Sequence, residues 1–382
     1  MMKTQKIFIL ALIVFAAPYF ARAQEFGHKG LLSFWGTAGF QKPSKPQLGL
    51  RYIPEFSLAF NFSRSTTLDS EFSLHSWGTA SFNDVDDIQT DGNIKPYRMW
   101  LRLSLAQFEA RVGLQKISFG SSSLLRPLMW FDSLDPRDPL QLTDGVYGLL
   151  LRYYFVNNTN IWLWGLYGNE KTKGWEAFPT KKDSVEYGGR LQVPIFTGEL
   201  AVTYHHRQAD ITEAAMLPFP GETYIAPEDR YAVDGKWDIG VGFWVEGTLV
   251  HQKHSFFPAP WQRAFNIGLD YTFGVGNGLY AMMEHFNIAR TKEAFGSGEA
   301  TDFSAVLLRY PLGLLDDITG IVYYDWDNKE WYRFVSWQRT YDRWQFSVMA
   351  FWNPQAFQIY RTATGNNPFT GKGFQATIVF NY

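Results

Sequence analysis

The 382-residue chain has no cysteine. Disulfide staples, thiolate nucleophiles, cysteine-ligated metals and a lipid-modified amino-terminal cysteine are therefore excluded. Charge of one sign is also lacking: 35 Lys and Arg stand against 37 Asp and Glu, a formal net of -2, so the basic excess of a dedicated nucleic-acid binder is missing. Beyond residue 24 no apolar run approaches the roughly 20 residues of a membrane-spanning helix. What the chain has in quantity is rings, 33 Phe, 20 Tyr and 15 Trp beside 33 Gly, at a mean hydropathy of only -0.21.

At the amino terminus Lys3 and Lys6 precede an apolar run from Ile7 to Phe20, interrupted by Pro18 and followed by Ala21-Arg22-Ala23. Basic start, short apolar centre and small residues at the end are the features of a secretory leader. Residues 1–23 are expected to be a signal peptide cleaved after Ala23, leaving 24–382 as the mature chain exported across a bacterial inner membrane.

Period-two alternation dominates the remainder. From Pro96 to Leu105, Tyr97, Met99, Leu101, Leu103 and Leu105 fall on one face of a strand and Arg98, Trp100, Arg102 and Ser104 on the other. Phe108, Ala110, Val112 and Leu114 then alternate with Glu109, Arg111, Gly113 and Gln115. Further on, Leu200, Val202 and Tyr204 alternate with Thr203, His205 and Arg207, and Phe265, Ile267, Leu269 and Tyr271 with Asn266, Gly268 and Asp270. A soluble sandwich also alternates, so connector length is the sharper signal. Short connectors such as Ala106-Gln107 and Asn157-Asn158 take turns with long ones such as 118–145, 169–183 and 354–372. Short turns on one rim and long loops on the other indicate an all-β transmembrane antiparallel barrel of the Gram-negative outer-membrane type. About 18 strands can be placed, with 16 as the alternative, and the last has Phe374, Ala376, Ile378, Phe380 and Tyr382 on one face. Closure requires that terminal strand to pair with the first, because an open edge cannot be satisfied in lipid.

A barrel of this size encloses an aqueous channel rather than a filled core. The expected pore-lining residues are basic between residues 96 and 208 (Arg98, Arg102, Arg111, Arg152, Arg190, Arg207) and acidic between 229 and 288 (Asp234, Asp238, Glu246, Asp270, Glu284). Two walls of opposite sign would impose a transverse field on solutes; local cross-strand ion pairs on a solvated wall are the alternative.

The segment 118–145 is too apolar for a solvated surface loop. Leu124, Leu125, Leu128, Met129, Trp130 and Phe131 need burial, and Arg126, Asp132, Asp135, Arg137, Asp138 and Asp144 accompany them. A constriction loop folded into the lumen is expected, with a cap on the outer rim as the alternative. Gly113-Leu114-Gln115, Phe119-Gly120, Pro127, Asp132 and Asp135-Pro136-Arg137-Asp138 resemble the G-x-Q-x-x-x-(W/F)-G motif and following loop of substrate-specific porins related to the alginate-export family. The resemblance covers about 26 of the 382 residues, with Phe119 where those porins more often have Trp, and implies a channel with an inward loop.

Other chemistry finds little support. None of the seven histidines sits in a nucleophile motif. His205 and His206 point to opposite faces of one strand, and His251 and His285 fall on the lipid-facing register, where an interfacial girdle role is expected. The acidic stretch from Asp84 to Asn93 has Ile88 at a calcium-ligand position and no closing glutamate, so it is expected to be an exposed loop. No catalytic residue, metal or cofactor is expected. The expected partners are outer-membrane lipids and lipopolysaccharide, the barrel-assembly machinery and small solutes, with no nucleic acid. A pore for passive diffusion is the leading function; a loop-sealed barrel serving assembly, adhesion or surface binding, and an outer-membrane hydrolase, are the alternatives.

Overall fold

The computed structural model describes residues 25–40, 46–84, 87–212, 224–254, 257–355 and 369–382; the expected leader lies outside the described residues. Eighteen strands follow one another: β1 (Glu25–Gly39), β2 (Gln47–Ser63), β3 (Thr66–Asp84), β4 (Asp87–Ser104), β5 (Phe108–Gln115), β6 (Val146–Tyr154), β7 (Asn160–Tyr167), β8 (Val185–Ile195), β9 (Gly198–Asp210), β10 (Ile225–Asp238), β11 (Gly242–Gln252), β12 (Trp261–Phe273), β13 (Leu279–Thr291), β14 (Gly298–Pro311), β15 (Asp316–Asp325), β16 (Glu330–Thr340), β17 (Trp344–Trp352) and β18 (Lys372–Asn381). Each pairs antiparallel with its sequence neighbours, and β18 returns to β1 in a register running from Leu31↔Asn381 to Gly39↔Gly373. The sheet is thus a closed 18-stranded antiparallel barrel, and no helix occurs among the described residues. At the seam Tyr382 and Gly30 exchange two backbone hydrogen bonds of 3.1 Å, and the Tyr382 and Tyr52 hydroxyls lie 2.8 Å apart.

Burial is inverted relative to a water-soluble protein. Leu101, Leu103, Val112, Leu149, Leu163, Val202, Val233, Ile267 and Leu269 are exposed on the outer face, whereas Arg190, Arg207, Glu228, Asp234, Glu246 and Glu284 are buried on the inner one. Rings collect toward both rims of that outer face. Tyr153 packs on Phe155 and Tyr271 on Phe273 beside short turns; His251 stacks on Trp261 at 4.0 Å, and Tyr324 meets Trp326 and Trp331, at the opposite rim.

β4 departs from the alternation-based expectation. β4 begins at Asp87 rather than near Pro96, so the acidic stretch is a strand hairpin with β3 and not a loop; residues 87–94 are exposed on both faces, so no buried side imposes a polar and apolar alternation there. A register shift then sets Ser73 opposite Arg98 and Leu74 opposite Pro96. Pro96 has no N–H for the ladder, and the extra residue turns Tyr97 inward, where it contacts His75 edge-on at 5.6 Å and lies 3.9 Å under the Arg98 guanidinium. Simple alternation would place Tyr97 outside.

Candidate functional site

The segment between β5 and β6 enters the barrel, and the residues that turn it inward are those of the porin-like motif. Gly113 has φ +119°, and an added Cβ would collide with the Met99 carbonyl of β4. The fully buried Gln115 donates its side-chain amide to the Arg111 and Gly148 carbonyls at 3.1 and 3.0 Å, tying β5 to β6 just before the chain departs. Gly120 has φ +101°, and a Cβ there would strike the Glu246 carboxylate of the far wall.

Apolar burial then carries the loop across the lumen. Phe119, Leu128, Trp130 and Phe131 pack with Leu150, Trp164 and Leu166 on β6 and β7. Leu124 and Leu125 reach the aromatic inner wall formed by Trp244, Phe286, Phe303, Tyr323, Tyr332, Phe334 and Phe351. Between these contacts, the loop backbone is held by two carboxylates. Glu284 accepts the N–H groups of Ser123, Leu124 and Leu125 at 2.7, 3.1 and 2.6 Å, and Glu246 accepts that of Ser122 at 2.6 Å. Asn266 donates to the Leu125 carbonyl at 2.7 Å.

The charged loop residues are mostly spent on the loop itself. Arg126 forks onto Asp132 at 2.8 and 3.2 Å and also reaches Ser118 and the Phe119 carbonyl. Arg137 grips Asp135 through Nε and a terminal nitrogen, at 2.8 and 2.7 Å, while its guanidinium lies 5.5 and 5.1 Å from the Phe334 and Phe369 rings. Asp138 accepts the Leu140 N–H at 2.9 Å; burial pushes its carboxyl up, against the pull of Arg51. Asp144 binds Lys95 at 2.6 Å, and Arg98 donates to the Thr143 carbonyl at 3.0 Å.

Sequence reasoning did not place a second loop inside, yet residues 168–184 fold in beside the first. Trp175 donates to the Arg126 carbonyl at 2.8 Å and stacks on Phe286 at 4.9 Å. Glu176 joins Arg207 and Arg230 at 3.3 and 2.7 Å. Burial pushes the Lys173 ammonium down, with Glu176 opposing. The available signal was the Trp175-Glu176-Ala177-Phe178 cluster within a polar connector.

Charges on the wall divide into committed and open groups. Arg190 forks onto Asp234 at 2.5 and 2.8 Å, Arg207 bonds Glu228 at 2.6 and 3.3 Å, and Arg102 forks onto Asp69 at 3.0 and 2.8 Å, so three of the six basic candidates are hydrogen-bonded to carboxylates. Glu246 and Glu284 hold the loop. Arg102, Arg111 and Arg152 cluster around Glu109, with Asp69 also on Arg102. Asp238 is exposed and Asp270 accepts the Tyr280 hydroxyl at 3.0 Å; both border a cavity of about 750 Å³ at the short-turn rim, with Glu199 and Lys236. The two walls are therefore joined locally, by Arg207 and Glu228 directly opposite each other on the adjacent strands β9 and β10, and by Arg190 on β8 reaching over β9 to Asp234 on β10.

The histidines point to both faces of the barrel wall. His205 is fully buried, its Nδ1 accepting from Trp164 Nε1 at 3.2 Å and its Nε2 lying 3.2 Å from Glu186. His206 points the other way, to Asp229 at 2.7 Å. On the outer face His285 Nδ1 lies 3.0 Å from Ser304 Oγ, and Nε2 lies 3.6 Å from Asp302. These are residue types of a hydrolytic triad. However, Trp326 Nε1 donates to the same hydroxyl at 2.9 Å, and the strands carrying Ser304 and His285 are paired on both sides, which commits the backbone N–H groups an oxyanion hole would use. Among the described residues no three His, Asp or Glu side chains come together to hold a metal.

No protein-family model matches the chain, and no curated protein matches it in sequence. Solved structures do match in fold. Acinetobacter baumannii OccAB4 superposes with TM-score 0.56 and 10% identity, over 94% of this chain and 98% of that one. Pseudomonas aeruginosa OccK7 (OpdD) gives TM-score 0.56 and 7% identity over 94% and 98%, and Acinetobacter baumannii OccAB1 gives 0.54 and 10% over 94% and 96%. At such identities the likeness is one of architecture: the chain has the fold of an outer-membrane porin.

Proposed function

We propose that the chain forms a channel in a bacterial outer membrane through which small hydrophilic and charged solutes diffuse, narrowed by the loop at 118–145. The observation that carries this reading is the placement of apolar and charged side chains: a closed barrel exposes Leu, Val, Ile and aromatic residues on its outer face, which suits lipid, while its Arg, Asp and Glu side chains gather on the inner one. Both inward loops lie mainly against β6 to β17, while on the facing inner wall Arg102 keeps 32% of its side chain accessible. Solutes would pass along that side. On this reading residues 1–23 are a cleaved leader, the barrel-assembly machinery inserts the chain, and lipids and lipopolysaccharide surround it.

With Arg190, Arg207 and Arg102 neutralised by Asp234, Glu228 and Asp69, the field acting on a solute comes chiefly from Arg51, Arg98, Arg111 and Arg152 on one side and Asp238 and Asp270 on the other. Replacing Arg98, Arg102 and Arg111 by neutral residues should then shift ion selectivity toward cations; unchanged selectivity refutes the field. Single-channel recording in planar bilayers tests the function itself. Steady conductance of the whole protein supports the channel. Conductance only after deletion of residues 124–142 supports the loop-sealed barrel, a reading favoured by the complete burial of Leu125, Glu246 and Glu284 beneath the loop. No conductance in either form refutes both pore readings.

A further inference from the structure

Close to the short-turn rim of the inner wall, three guanidinium groups converge on one carboxylate. Glu109 lies 3.1 Å from Arg111 and 3.6 Å from both Arg102 and Arg152. These contacts are longer than the roughly 2.7–2.9 Å of a fully formed charge-assisted hydrogen bond. The contrast lies on the same wall: Arg190 and Asp234 form a fork at 2.5 and 2.8 Å. Arg102 has its own carboxylate, Asp69, at 3.0 and 2.8 Å, so Arg111 and Arg152 are left to share Glu109.

Two further features mark this coordination as unfinished. The Nε atoms of Arg111 and Arg152 are buried without a hydrogen-bond partner. Indole rings back both guanidiniums, Trp100 at 4.9 Å from Arg111 and Trp162 at 3.8 Å from Arg152, which holds the cations in place without neutralising them. Three cations face two carboxylates, and all of these side chains remain 13–32% accessible.

We propose that Arg102, Arg111 and Arg152 form a transit site for a small oxyanion, and that Glu109 is its built-in competitor. The proposal rests on the channel reading for its purpose, although the site itself can be tested without current. An arriving oxyanion takes the N–H groups that Glu109 holds loosely, and Glu109 displaces it again. Binding is thereby weak enough for release, as conduction requires.

Inorganic phosphate titrated calorimetrically into the purified full-length barrel in detergent tests this directly. Glu109→Gln keeps the shape of the side chain and removes the competing charge. At the distances observed it should tighten phosphate binding about tenfold, within the range expected for one unit charge in a partly hydrated site. Arg111→Gln with Arg152→Gln should abolish binding. Glu199→Gln removes a carboxylate from the same rim, away from the cluster, and should leave the affinity unchanged. Equal affinity of the wild type and Glu109→Gln, or the same gain in Glu199→Gln, overturns the proposal. Bilayer recording of the same variants separates the two levels: phosphate binding with the expected pattern in a barrel that carries no current keeps the site and refutes the channel.

Discussion

Glu284 is the strongest handle on the inward loop. Its carboxylate accepts three consecutive backbone N–H groups, those of Ser123, Leu124 and Leu125, on a residue with no solvent exposure. A hydrogen bond to a charged acceptor contributes about 1.5–3 kcal/mol net and a neutral one about 0.5–1.5. Glu284→Gln leaves one acceptor oxygen and turns an amide donor toward donors, so the loop loses roughly 3–6 kcal/mol of local docking. Opposing this, Leu124 and Leu125 are buried in the aromatic wall and contribute about 1.5–3 kcal/mol each. The losses and the remaining anchors are comparable, so the single variant should fluctuate between docked and undocked forms. Glu246→Gln added to it removes the Ser122 anchor as well and should favour the undocked loop. In planar bilayers the single substitution is expected to give noisier current with a second, larger conductance level, and the double one to occupy that level predominantly. Wild-type conductance and noise in both folded variants would refute the assignment of these carboxylates as the latch.

Three more outcomes are expected. Asp234→Ala leaves the buried Arg190 guanidinium without its counter-ion and should cost about 3–5 kcal/mol, read as a lower unfolding temperature of the barrel in detergent; replacing both residues by apolar ones should recover much of it. Gly120→Ala puts a Cβ against Glu246 at φ +101° and should displace the loop start, raising conductance as the Glu284 variant does; an unchanged channel counts against the close approach. Asp138 ionises at about 3.9 in an unfolded chain, and burial raises it in the folded protein, so loop docking is strongest below that value and weakens as pH rises through the raised one. Wild-type conductance should accordingly increase between about pH 4 and neutrality more than that of Asp138→Asn, and superimposable profiles would refute the contribution.

The parts of the fold legible in the sequence are those governed by local geometry. A period of two is a property of one strand, so the 18 strands, their outward rings and the inward Arg102, Arg111 and Arg190 follow from the order of residues alone. Length and composition likewise betrayed the loop at 118–145, because Leu124, Leu125, Trp130 and Phe131 had to be buried somewhere. The Tyr97 bulge was hidden because it depends on how Pro96 meets the partner strand, although the proline itself was visible. The second inward loop was missed because Trp175 finds its place only against Phe286 and the Arg126 carbonyl, themselves remote in sequence.

Sequence by itself determined the class of this protein. Alternation with rings on one face, together with turns of two lengths, leaves a closed antiparallel barrel as the way to satisfy every backbone group. Tertiary structure decided which charges are free. Arg190 and Asp234 stand 44 residues apart in the chain, and Glu284 and Leu124 stand 160 apart, yet both pairs are in contact. Net charge carries no information about such encounters, since Coulomb interaction and hydrogen bonding act over a few ångströms of space and not along the chain. The pairing of the consecutive strands β4, β5 and β6, by contrast, gathers Arg102, Arg111 and Arg152 around the carboxylate of Glu109.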